Sequence, residues 1–170
     1  ARLEATVVYL RQEQHLSYQR TQQALQALNG VHLSQGAIDH IMQRAGQSAL
    51  EQVPAIQQAV ASSAVVYCDE TGCRVEASNG WEWVFCSQKA ILHQIRTTRS
   101  VDVIRDVMGQ RKVEVWVSDC YTAQLKAPAQ ERQLCLAHQL RNLQALIDAH
   151  PKLLWPKEMQ NLFQYAIRLH

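Results

Sequence analysis

The sequence is short of most features that would announce a function outright. It has no apolar run long enough to span a bilayer and no signal-peptide pattern, so neither a membrane segment nor secretion is expected. It lacks a charge excess, since 17 basic against 15 acidic residues leave a formal +2. Ahead of position 64 the count is four against four and after it thirteen against eleven, so no basic stripe announces nucleic acid. No CxxC pair is present, which removes the usual zinc frameworks. The five cysteines, Cys68, Cys73, Cys86, Cys120 and Cys135, are odd in number and mostly flank predicted strands. Reduced thiols in a cytoplasmic protein fit that pattern. Nothing repeats internally, and the many glutamines are scattered through helical patterns. What 170 residues do allow is one real core with a small helical appendage.

The first third reads as helices. Residues 3–15 place Leu3, Val7, Leu10 and Gln14 near one face. Ser17 caps a second helix carrying Thr21, Ala24, Leu25 and Leu28, which Asn29-Gly30 stops. Ser34 opens a third, with Ala37, Ile38, Ile41, Met42 and Ala45 on its apolar stripe and an expected end near Gly46. Helix, short turn, helix reads as a helix-turn-helix, with Gln35, His40, Gln43 and Arg44 as the candidate DNA contacts. One arginine and one histidine beside Asp39 make a poor phosphate-binding face, so packing or a dimer surface is the competing reading. Ser48 and Glu51 have capping-box spacing and predict a fourth helix to about Ser62, with Pro54 in its first turns.

From Val65 the apolar period changes to that of strands. VVYCDETGCRV predicts a strand over 65–69 or 65–70 that emerges at acids and a glycine. Asn79-Gly80 signals a turn, after which Trp81, Trp83 and Phe85 alternate with Glu82, Val84 and Cys86 in a second strand. A third strand is expected over 90–96, a short helix from Ser100 to Gly109, and a fourth strand over 113–117 running into Asp119. A brief fifth strand over 132–135 leads into a helix over 136–149 that Pro151 breaks, and Pro156 begins a last helix. The expected class is α/β. A three-stranded antiparallel meander, a helix crossover and a fourth strand form a mixed sheet, behind an all-helical region over 1–63.

Such a crossover brings strand four beside strand one, so Asp69 and Asp119 would emerge at one sheet edge, where open sheets keep their chemistry. Partly buried like charges at 4 Å repel by about 4 kcal/mol, a cost that a divalent cation removes. Hard oxygen ligands suit magnesium or manganese, and two such ions on three or four carboxylates would activate water or a hydroxyl against a phosphodiester. Taken singly, each aspartate is as readily an ordinary turn or cap residue. Glu70 points to the opposite face from Asp69 if the strand continues, and is kept as a supporting candidate for metal or substrate. Trp81 and Trp83 read as core. Cys135 and His138, at helical i and i+3 with Arg141 beyond, form a second candidate site. Cys68 or Cys120 would have to complete a zinc site there. A structural His138 near the acidic edge is the plainer reading, and a Cys135 nucleophile with His138 as base is a third. His15, His32, His93, His150 and His170 have no partners readable from sequence.

In order, DETG after an apolar strand, NGWEWVF, TTRS before a helix, VSDCYTA and QLCLAHQLRNLQAL resemble the catalytic region of the transposase family of insertion sequence 66. YLRQEQHLSYQRTQQAL and LSQGAIDHIM resemble the helical region that precedes it, so the resemblance covers about residues 1–150. It implies a ribonuclease-H-like fold and an Asp-Asp-Glu triad binding two magnesium ions, with Asp69 and Asp119 as the first two acids. Cys135 and His138 match the family's cysteine-x-x-histidine motif, and Arg141 matches the arginine that follows. The third acid is expected after an inserted helical segment, in a Pro-Ala-Glu-Arg-like context that is absent here. Glu158 sits in what resembles the insertion and is not assigned that role. The resemblance thus implies a truncated transposase. Residues 1–63 form its helical region, 64–150 a partial catalytic domain and 151–170 the start of the insertion. It also implies DNA at transposon ends as partner, and a sheet lacking its closing helix would favour homo-oligomers. A non-enzymatic DNA-binding or self-association module derived from a transposase is the alternative.

Overall fold

In the computed structural model, which describes residues 2–169, Ser17 and Ser34 start helices where their positions predict. After α1 (Arg2–Gln12), the Ser17 hydroxyl accepts from the Arg20 N–H to begin α2 (Tyr18–Asn29), and Gly30 ends it in left-handed backbone at φ 66°. Ser34 does the same for the Ala37 N–H at the start of α3 (Gln35–Leu50). Val7, Leu25, Ile38 and Ile41 form the core of these three helices. The third helix does not stop at Gly46. A glycine ends a helix when it turns left-handed, and Gly46 keeps a negative φ. Ser48 therefore lies inside α3, its capping-box spacing starts nothing, and α4 (Val53–Ala61) begins with Pro54 in its first turn. The chain divides into two compact units, Ala1–Pro54 and Ala55–His170.

The second unit is built on five strands, β1 (Val65–Val75), β2 (Ser78–Cys86), β3 (Ile91–Arg96), β4 (Val113–Ser118) and β5 (Ala129–Leu134). Their order is β3-β2-β1-β4-β5, with β1, β2 and β3 antiparallel and β4 and β5 parallel to β1. This is the expected meander and crossover, and its order and strand senses are those of a ribonuclease-H-like sheet. Three details differ from expectation. The fifth strand runs Ala129–Leu134 and not 132–135, because it pairs with β4 from Val113 opposite Ala129, and Cys135 already caps the next helix. The first strand does not stop at Glu70 but pairs with β2 as far as Val75, because the chain reverses at Glu76 and Ala77, not at Asn79-Gly80. Gly80 instead lies inside β2, where a Cβ would meet the Arg96 carbonyl at 3.2 Å.

Alternation sorts β1 into two faces. Val66, Cys68 and Glu70 share one with Trp83, Phe85, Leu92 and Trp116, and all seven are buried. Helix α5 (Val101–Met108), capped by Ser100, buries Val103, Ile104, Val107 and Met108. Gln57 of α4 donates to the Asp106 and Val107 carbonyls of α5 at 3.0 Å. The other face carries Tyr67, Asp69, Val84, Ile91 and Ile95, with Tyr67, Ile91 and Ile95 exposed. A short 3-10 turn over Gln124–Lys126 joins β4 to β5, and α6 (Leu136–Ala149) and α7 (Trp155–Arg168) close the described chain. Among the described residues no helix is long and apolar enough to cross a membrane, all five cysteines are free thiols, and His170 lies outside them.

Candidate metal centre

Register explains why two aspartates separated in sequence meet. In the parallel pair, Tyr67 of β1 stands opposite Val117 of β4, and Val117 stands opposite Gln133 of β5. Two residues further along, the same offsets align Asp69, Asp119 and Cys135 on one face, just past the end of β4. The Cys135 N–H donates to the Ser118 carbonyl at 2.7 Å, which continues the ladder by one bond, and Cys135 then becomes the N-cap position of α6. One helical turn later the same helix presents His138 to the acids. Donor atoms of Asp69, Asp119 and His138 all lie within 4.8 Å of one another.

Each carboxylate is half committed. Asp69 Oδ1 accepts from the Glu70 N–H at 3.0 Å, and Asp119 Oδ1 accepts from the Tyr121 N–H at 2.9 Å. That leaves Oδ2 of each for a ligand. His138 Nε2 stands 3.8 Å from Asp69 Oδ2, too far for a hydrogen bond, while its Nδ1 is buried without a partner among the described residues. A divalent ion with bonds of about 2.1 Å bridges donors up to about 4 Å apart, so small side-chain rotations close the set. The donors fit one ion. Among the described residues the group holds two carboxylates and an imidazole, and no third acid joins it.

The remaining candidates fall into place around this group. Cys135, with His138, Asp69, Tyr67, Cys68, Val84, Cys86 and Val117, lines a small apolar cavity of about 130 Å³. Arg141 is exposed one turn further along α6. Glu70 faces the other way, as alternation predicts, with a side chain wholly removed from solvent. There it pairs with Arg99 at 2.8 Å and accepts a hydrogen bond from Gln124, whose own carbonyl accepts from Trp116 at 2.9 Å. Burial still pushes the Glu70 carboxyl above its ordinary range, with Gln124 and Arg99 pulling the other way. Burial likewise raises the Cys68 thiol, which accepts from the Gln124 amide at 3.4 Å. Cys120 is exposed and outside the group. On α3, Gln35, His40, Gln43 and Arg44 are all exposed, but Gln43 bonds Asp39 at 2.8 Å and Arg44 pairs with Glu4 at 2.6 Å.

Sequence reading missed Arg99, Tyr121 and Gln124 as individuals. Arg99 lies in TTRS and Tyr121 in VSDCYTA, two of the motifs that carry the family resemblance, so the signal was present without a role attached.

A mixed sheet in the order 3-2-1-4-5, with one acid inside its central strand and another just past the end of the parallel neighbour, defines a ribonuclease-H-like domain. The chain belongs to the Transposase IS66 family, whose model matches residues 1–169. Among solved structures it is similar to the HTLV-2 integrase catalytic core domain in complex with magnesium (trimeric form). That likeness has 12% identity and a TM-score of 0.36, and covers 59% of this chain and 82% of that one. No curated protein sequence matches the chain.

Proposed function

We propose that this chain carries the catalytic edge of a cytoplasmic DNA transposase that cleaves and joins phosphodiester bonds at transposon ends, with Asp69 and Asp119 as its metal ligands. One observation carries the reading: two carboxylates from neighbouring parallel strands, each with one oxygen tied to a backbone N–H, converge with His138 inside 4.8 Å. Magnesium or manganese suits these oxygens. When bound, such ions supply Lewis acidity to the phosphoryl group and make water or a DNA 3'-hydroxyl a better nucleophile. The chain's own residues do the rest. Asp69 and Asp119 present fixed negative charge, and His138 Nε2 adds a nitrogen that can ligate or hold a proton beside them. Cys135 supports His138 by starting α6. Arg141 offers an exposed cation for a phosphate backbone, and Gln35, His40, Gln43 and Arg44 are the candidate DNA contacts of α3.

A two-ion centre needs three or four carboxylates, and the described group has two. We therefore read residues 1–170 alone as holding one ion and leaving transposon-end DNA uncut. Calorimetric titration with manganese tests the site directly. Asp119→Asn is expected to weaken binding at least about tenfold, a loss that even outer contacts of metal sites produce. Wild-type affinity in that variant would remove the shared-ion assignment.

The alternative, a self-association module, is favoured by one feature. Leu154, Trp155, Leu162, Tyr165 and Leu169, in and around α7, are each more than half exposed. An apolar surface of this kind suits a homo-oligomer.

A further inference from the structure

Behind the acids lies a second, partly buried assembly that the metal reading does not use. It starts with the loop before α5. The indole N–H of Trp83, a fully buried residue, donates to the Thr98 carbonyl at 3.2 Å, and Ser100 caps α5, so Arg99 is held from both sides. Its Nε and one terminal nitrogen both lie 2.8 Å from Glu70 Oε1. Its guanidinium carbon lies over two rings, 3.8 Å from the centre of Tyr121 and 4.7 Å from that of Trp81. The Tyr121 hydroxyl donates back to the Arg99 carbonyl at 3.1 Å. Tyr121 is also the residue whose N–H holds Asp119 Oδ1.

We propose that Glu70 and Arg99 are positioning residues: their ion pair clamps the Tyr121 ring, so that the Tyr121 N–H fixes Asp119 with its other oxygen aimed at the cation. The inference rests on the metal reading of Asp69 and Asp119. Its physical basis is that a planar guanidinium, oriented by a buried carboxylate, stacks on a ring in one geometry, which a flexible ammonium does not. The β4–β5 connection has no regular structure between Ser118 and the 3-10 turn at Gln124. The clamp thus supplies rigidity that the local backbone does not. It also gives DETG and TTRS a common purpose: the first supplies Asp69 for the ion and Glu70 for the clamp, the second supplies Arg99.

The test compares wild type with the double variant Glu70→Gln, Arg99→Met and with Arg99→Lys. In the double variant an amide oxygen still accepts from Gln124, and the uncharged methionine takes the place of the guanidinium beside the rings. In Arg99→Lys the charge opposite Glu70 stays and the planar stack goes, so this second variant covers the case in which the first fails to fold. In both, the Tyr121 amide is expected to exchange with solvent at least about tenfold faster while the Val66 and Trp116 amides keep their protection. Manganese affinity is expected to fall about tenfold, as when outer partners of metal ligands are removed. Unchanged Tyr121 exchange, or faster exchange with unchanged manganese affinity, overturns the positioning role. A wild type that binds no manganese fails the metal reading itself, and the inference goes with it. Binding that survives in Arg99→Lys but not in Asp119→Asn rejects the clamp alone.

Discussion

Neighbouring acids in β1 have opposite environments, and a single strand pleat separates them. The Asp69 side chain is 59% exposed beside His138, whereas that of Glu70 is sealed against Arg99 and Gln124. Burial raises the Glu70 carboxyl despite both partners, which has a consequence for stability against pH. A carboxyl whose folded value lies above its unfolded one (about 4.3) stabilises the fold fully below that value, and loses the contribution as pH rises through the folded value. Relative to Glu70→Gln, which cannot titrate there, wild type should therefore melt highest at about pH 4 and lose its margin toward pH 7. Paired thermal melts across that range check this. A margin that grows with pH would mean that Arg99 outweighs desolvation.

At the scale of elements, the β1–β2 hairpin shows how a local signal misleads. Asn-Gly is the strongest short hairpin signal, yet the turn falls three residues earlier, where Glu76 and Ala77 take φ of 48° and 65°. Two central residues with positive φ suit glycine and asparagine, and a left-handed L-residue costs roughly 1–2 kcal/mol. Ala77→Gly is expected to raise stability by about 1 kcal/mol, after the unfolded-chain entropy of glycine is set against the relieved strain. In a chain of this size that raises the melting temperature by about 2–4 °C. A lower melting temperature would show that the turn is not strained. The apparent signal, Asn79-Gly80, has another use: Gly80 lets β2 approach the Arg96 carbonyl of β3.

For the whole molecule, the apolar surface that α7 leaves open is the clearest pointer to assembly. Leu162 is 57% exposed and Trp155 51%. If this surface joins copies of the chain, Leu162→Lys should shift sedimentation toward the monomer while leaving the melting temperature nearly unchanged, since surface substitutions change stability by about 0.5 kcal/mol or less. A wild type that sediments as a monomer at every concentration would remove the assembly reading.

Much of this protein was legible in its sequence because caps, breakers and apolar period act over a few residues. Ser17 and Ser34 cap where they should, helix α6 spans the predicted residues, and the change of period at Val65 marks the sheet. The meander and crossover placed Asp119 beside Asp69, and the family's motifs attached a chemistry to the pair. A His138 near the acidic edge was also readable, but tertiary structure alone decided that its ring nitrogen joins the acids and that Arg99 and Tyr121 stand behind them. His138 reaches the acids because β5 carries Cys135 into line with Asp119, and Arg99 reaches Glu70 because Trp83 holds the loop ahead of α5. Those partners lie tens of residues apart in the chain. Their meeting depends on strand register and on what each buried polar group must bond, which a local pattern does not record.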